Sequence, residues 1–162
     1  MSRPVRRALV AVTMLLAAAV TAAAAPANAA VSSVPTLTAI RTGANPGFDR
    51  IVLDLTAGGA PSPSYQLFDE LTADPTGDVV WLTGQYFINV TVPFAAAHDD
   101  NGVPTYTGPQ KFRTWNLRNV MAVAVTGDFE AQLTVGLGVR SRTTVNVFTL
   151  TAPNRVVIDV AS

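Results

Sequence analysis

The chain of 162 residues holds one histidine and no cysteine, which narrows at once the chemistry open to it. His98 lies in His98-Asp99-Asp100-Asn101-Gly102. Hydrolysis through a serine would need this imidazole as its base, with a third group to orient it, and a thiol nucleophile is ruled out. The neighbouring Asp, Asn and Gly make the segment read as a solvated turn. Zinc hydrolysis needs several His or carboxylate ligands around an open position, more than one histidine supplies. A calcium loop with Gly102 in sixth place would begin at Ala97 and end at Gly108, without a carboxylate at either end. Asp54 and Asp159 are the symmetric carboxylates that could attack a glycosidic bond. Each, however, follows an arginine on its own strand face, Arg50 and Arg155. Arg50, Asp54, Arg155 and Asp159 are therefore expected to form structural ion pairs on a sheet surface, worth at most about 1 kcal/mol where exposed. No catalytic residue, metal or cofactor is expected.

Binding has better material. Tyr106-Thr107-Gly108-Pro109-Gln110-Lys111-Phe112-Arg113-Thr114-Trp115 interleaves aromatic rings with cations. Rings offer flat apolar faces to sugars or peptide stems, and Lys111 and Arg113 can meet carboxylates. Tyr106, Lys111, Arg113 and Trp115 are the candidate ligand-binding residues, with Phe112 assigned to the core. A second stripe, Thr134, Gly136 and Gly138, leaves a shallow strip for a ligand or another backbone; internal packing accounts for it equally well.

These residues have to be held by strands. Asp49-Arg50-Ile51-Val52-Leu53-Asp54-Leu55 recurs as Asn154-Arg155-Val156-Val157-Ile158-Asp159-Val160, and each copy follows a short strand-like run and a turn containing proline. Alternation puts Ile51, Leu53 and Leu55 on one face, as it does Val156, Ile158 and Val160. The repeat implies two similar hairpins in related places. Tyr65 to Leu71 is a further apolar segment. Val79 to Leu82 and Tyr86 to Val92 read as a hairpin around Thr83-Gly84-Gln85. Pro93 to Gln110 is the longest irregular piece, and loops of that length are uncommon unless functional or disordered. Val120 to Val125 is apolar on both faces, as in a central strand. Gly127-Asp128-Phe129-Glu130 reads as a turn, and Leu133 to Val139 as a one-sided strand. About ten short strands separated by Gly and Pro, with no helical period past the first residues, predict an all-β, two-sheet β-sandwich with pseudo-symmetric strand-turn-strand units.

The start of the chain reads differently. Arg3, Arg6 and Arg7 precede an apolar run from Ala8 to Val20, and Ala27-Asn28-Ala29 fits a signal-peptidase site. Residues 1–29 are expected to be a signal peptide, 30–36 an extended lead-in and 37–162 a single domain. Without the leader, eight basic residues face eleven acidic ones, a net of −3. That balance, with no basic stripe, excludes a nucleic-acid partner. An exported chain of roughly 133 residues without cysteine must rest on a packed core alone. It is expected to be secreted, with no integral membrane span once the leader is removed, and monomeric.

Three blocks carry a family resemblance. They are Gly47-Phe48-Asp49-Arg50-Ile51-Val52-Leu53-Asp54-Leu55, Gly127-Asp128-Phe129-Glu130-Ala131-Gln132-Leu133-Thr134-Val135-Gly136-Leu137-Gly138, and Val147-Phe148-Thr149-Leu150 followed by Pro153-Asn154-Arg155-Val156-Val157-Ile158-Asp159-Val160. In order, these resemble the actinobacterial AMIN-like domain, a group similar to the AMIN domain found beside cell-wall amidases and in pilus secretins. The resemblance implies a sandwich of two related sheets with a non-catalytic role, binding peptidoglycan or placing a partner at the envelope. AMIN domains usually ride with a catalytic or pore-forming domain; none accompanies this one, so recruiting a fused enzyme is not expected. Three functions follow, in order of expectation. The first is a secreted module binding peptidoglycan or another cell-wall polymer, and the second an interaction module docking an envelope protein. A hydrolase comes last.

Overall fold

A computed structural model describes residues 33–162. The expected leader and the first residues of the lead-in lie outside the described residues. Nine strands follow one another: β1 Leu37–Asn45, β2 Phe48–Leu55, β3 Ser64–Phe68, β4 Tyr86–Pro93, β5 Lys111–Arg113, β6 Val120–Phe129, β7 Gln132–Val139, β8 Val145–Leu150 and β9 Arg155–Ala161. They form two antiparallel sheets, ordered β1-β2-β9-β8 and β3-β4-β7-β6-β5. The all-β two-sheet architecture is thus present, without a helix among the described residues. Alternation explains the core between the sheets. Ile51, Leu53, Val156 and Ile158 from one sheet meet Ile88, Val90, Val135 and Leu137 from the other, each at most 1% exposed.

Both copies of the repeat lie in the four-stranded sheet, as two similar hairpins in related places. β2 and β9 are its central strands, paired with Val52 opposite Val157, Arg50 opposite Asp159 and Asp54 opposite Arg155. Val52 and Val157 are equivalent positions of the repeat, so a local two-fold axis runs between them and exchanges the two hairpins. The duplicated register puts like residues in like surroundings along the centre of the sheet.

The five-stranded sheet departs from expectation at three points. β7 is buried on both faces, not one. Its second face, carrying Gly136 and Gly138 beside Ala122 and Ala124 of β6, is covered by residues 69–85. These do not form the expected hairpin arm at Val79 to Leu82; they lie across the sheet as a strap. Leu71 is 2% exposed and sits where a Cβ on Gly136 would come within 2.6 Å of it. The carbonyl oxygen of Thr83 occupies the space that a Cβ on Gly138 would need. The small residues of β6 and β7 leave an apolar face that needs a cover, and the strap supplies it with Leu71 and the Thr83-Gly84 backbone. Its backbone bonds to that of the sheet at Asp74 N, donating to Thr126 O, and at Gln85 N, donating to Val139 O, both at 2.8 Å. The third difference is the turn after β6. The strand runs on through Gly127 and Asp128, and the turn is Glu130-Ala131, at φ 50° and 55°. Gly127 serves a close approach at a bulge, since a Cβ there would meet the Thr134 hydroxyl at 2.6 Å.

The 94–110 loop is a packed lid on the core. Ala95 and Tyr106 belong to the core, Leu37 N donates to Ala96 O at 2.8 Å, and the Thr105 hydroxyl donates to Leu37 O at 2.8 Å. Its length is used to join the two sheets at one end.

Candidate functional site: a cation and tryptophan surface

β5 is an edge strand of three residues paired with β6, Lys111 opposite Ala124 and Arg113 opposite Ala122. Alternation turns Phe112 toward the core and sends Lys111 and Arg113 to the outer face, where the strap passes. Lys111 Nζ donates to Trp81 O at 2.9 Å, and Arg113 Nε donates to the Thr83 hydroxyl at 3.1 Å. After Arg113 the backbone is pinned by Thr114, whose N–H reaches Met121 O at 3.0 Å and whose hydroxyl donates to Val120 O at 2.5 Å. That anchor turns Trp115 outward. The guanidinium of Arg113 lies 5.2 Å from the Trp115 ring centroid, within cation–π range.

Trp81 and Trp115 are 80% and 82% exposed, the most solvent-facing large apolar residues among those described. A cleft of about 270 Å³ lies against Trp81, Thr83, Lys111 and Arg113. A smaller one of about 70 Å³ is lined by Thr83, Arg113, Trp115 and Arg140. The two share Thr83 and Arg113, and Arg140 is itself fixed by Nε donation to Arg118 O at 2.9 Å. Neither cleft is lined by a carboxylate. The surface can stack flat apolar groups and hold anions. The same two hydrogen bonds also fasten the strap to β5, so Lys111 and Arg113 have a structural task as well.

Of the four candidate binding residues, Lys111, Arg113 and Trp115 come together here. Tyr106 does not: it is 5% exposed in the core, its hydroxyl donating to Pro109 O at 3.1 Å, and burial pushes its pKa above the ordinary 10.0. Trp81, Thr83 and Arg140 join them from parts of the sequence that no motif singled out. The one available signal was an unalternating apolar run at Val79 to Leu82, which fits poorly to a half-exposed strand.

The repeat's ion pairs are only half symmetric. Arg50 grips Asp159 across the central strands with two bonds of 2.7 Å and lies 5.1 Å and 5.9 Å from the Phe48 and Phe148 rings. Asp54 instead receives Arg41 of β1, at 2.5 Å and 2.6 Å. Arg155 donates to Pro153 O at 3.3 Å. Arg41 and Arg50 each have their pKa raised by the carboxylate they bond. The first residue of each repeat has a different task. Asp49, fully buried, accepts the N–H groups of Arg118, Asn119 and Val120 at 3.1, 2.6 and 2.9 Å. Its counterpart Asn154 donates to Thr56 O and Gly58 O.

His98 is not free in a solvated turn. Its Nδ1 sits 2.6 Å from Asp128 Oδ2, with clefts of about 200 and 320 Å³ on either side. The Asp99 carboxylate, whose pKa is lowered chiefly by the Val103 N–H, closes the turn beside it. A base and its orienting acid are present, but no hydroxyl bonds the imidazole among the described residues. Nor do those residues contain a group of three or more His, Cys, Asp or Glu placed to hold a metal. They also contain no helix long and apolar enough to cross a membrane.

A family model described as AMIN-like domain matches residues 35–162. Neither a curated protein nor a solved structure matches the chain.

Proposed function

We propose, from the premise that the chain belongs to the AMIN-like domain family, that it is a secreted, non-catalytic module of the cell envelope that binds peptidoglycan or another wall polymer. The observation that carries this reading is the pair of exposed indoles, Trp81 and Trp115, set around Lys111 and Arg113. A folded chain leaves large rings in water at a cost that a ligand recovers, since each ring hides roughly 150–250 Å² when covered. The purified protein should be retained on insoluble peptidoglycan. Trp81→Ala and Trp115→Ala should each weaken retention by about 1–3 kcal/mol, the range of a stacking anchor. Retention no greater than that of a charge-matched control protein would remove the reading.

A second reading, docking of an envelope protein, is favoured by β3. Every residue of this edge strand is exposed, and Tyr65, Leu67 and Phe68 are 41%, 44% and 39% exposed. Such an edge can accept a strand from a partner. Cross-linking in intact cells separates the two, since one discrete protein adduct through β3 favours docking.

A further inference from the structure

Resting on the wall-binding reading, we propose that the surface around Trp81 and Trp115 takes an anionic glycan. A sugar ring lies on an indole face, and its carboxylate or phosphate is held by Lys111, Arg113 and Arg140. The argument is one of uncompensated charge. Among the described residues, Arg41, Arg50 and Arg142 are each paired with a carboxylate, Asp54, Asp159 and Asp69. Of the five cations without a carboxylate partner, Arg118 and Arg155 line neither cleft, whereas Lys111, Arg113 and Arg140 do. Each of these three is tethered through one nitrogen to a neutral oxygen, that of Trp81 O, the Thr83 hydroxyl and Arg118 O respectively. A tether to a neutral acceptor fixes the position of a cation and leaves its charge and remaining donors for something else.

This happens on a domain that carries more acidic than basic residues, yet no acid lines either cleft. A positive patch on a negative body steers anions to one place and repels them elsewhere. A neutral glycan would use the indoles and gain nothing from three prepared cations. The anion can come from carboxylates of the peptidoglycan itself or from phosphates of a polymer attached to it.

Affinity of the purified protein is measured on four materials: native peptidoglycan, peptidoglycan stripped of phosphodiester-linked polymers by acid, peptidoglycan with its carboxylates amidated by carbodiimide, and material treated both ways. Affinity should fall at least about tenfold on the doubly treated material, the scale of one charge-assisted hydrogen bond removed. The singly treated arm that reproduces the loss names the source. Raising salt from about 0.05 M to about 0.5 M should weaken binding to native material. Arg140→Gln, which leaves the strap's bonds to β5 in place, should weaken it about tenfold, and Arg140→Lys less. Undiminished affinity on doubly treated material overturns the anionic ligand while wall binding stands. Failure to bind all four materials overturns both.

Discussion

At the scale of single residues, the buried carboxylate of Asp49 outweighs the exposed ion pairs. Arg41–Asp54 is a surface pair, and such pairs contribute little once solvent screens them. Asp49 is different because it is fully buried and two of the N–H donors it satisfies, those of Asn119 and Val120, are buried with it and have no water to fall back on. Asp49→Ala should therefore destabilise the fold by about 3 kcal/mol or more, read from equilibrium unfolding in denaturant. Asp49→Asn should recover only part, because one of its amide's two polar atoms is a donor facing donors. Asn154→Ala removes two bonds from side-chain nitrogen to carbonyl at the equivalent position and should cost about 1 kcal/mol. The repeat thus kept a polar residue at its first position and turned it from acceptor to donor.

At the scale of elements, the strap decides how the site is built. Two backbones touch where Gly84 crosses Gly138, a Cβ on the former meeting the Cα of the latter at 2.6 Å. No side chain at Gly138 can be accommodated without moving backbone. Gly138→Ala should cost about 1–3 kcal/mol of stability and displace Trp81, so that wall retention falls with it. Gly43, with nothing within 4 Å of its Cβ position, is the control, and Gly43→Ala should leave stability within about 0.5 kcal/mol. Unfolding and retention measured on the same two variants separate a loss of the strap from a general effect of adding a methyl group. The glycine stripe is therefore a seat for the chain's own residues, and the proposed ligand surface lies beside it.

At the scale of the molecule, the two sheets share one core, and the 94–110 loop ties the start of β1 to the end of β4. Unfolding followed by far-ultraviolet circular dichroism should show a single transition. Tryptophan emission should shift little across it, because both indoles already stand in water in the folded state. A large red shift on unfolding would contradict the placement of the rings. A blue shift on adding peptidoglycan fragments is the expected sign of their cover.

Local pattern determined much of this. Alternation in Ile51-Val52-Leu53 and at Val156, Ile158 and Val160 was enough to turn one face of each strand to the core, although Val157 on the other face of β9 is buried as well. The spacing of Gly and Pro was enough for many short strands, hence two stacked sheets. The repeat announced a pair of related hairpins, because identical patterns fold into identical local geometry. Lys111, Arg113 and Trp115 were legible as a surface because they are neighbours in sequence on one short strand. What only the tertiary structure decided are the meetings of residues far apart. Trp81 reaches β5 by thirty residues of separation, Asp49 reaches Asn119 by seventy, and Tyr106 is drawn inward by the lid it belongs to. Periodicity reports which side of its own strand a residue faces. It carries no information on what crosses that side, and so the strap over Gly136 and Gly138, and the site it completes, had to come from the packing of the whole chain.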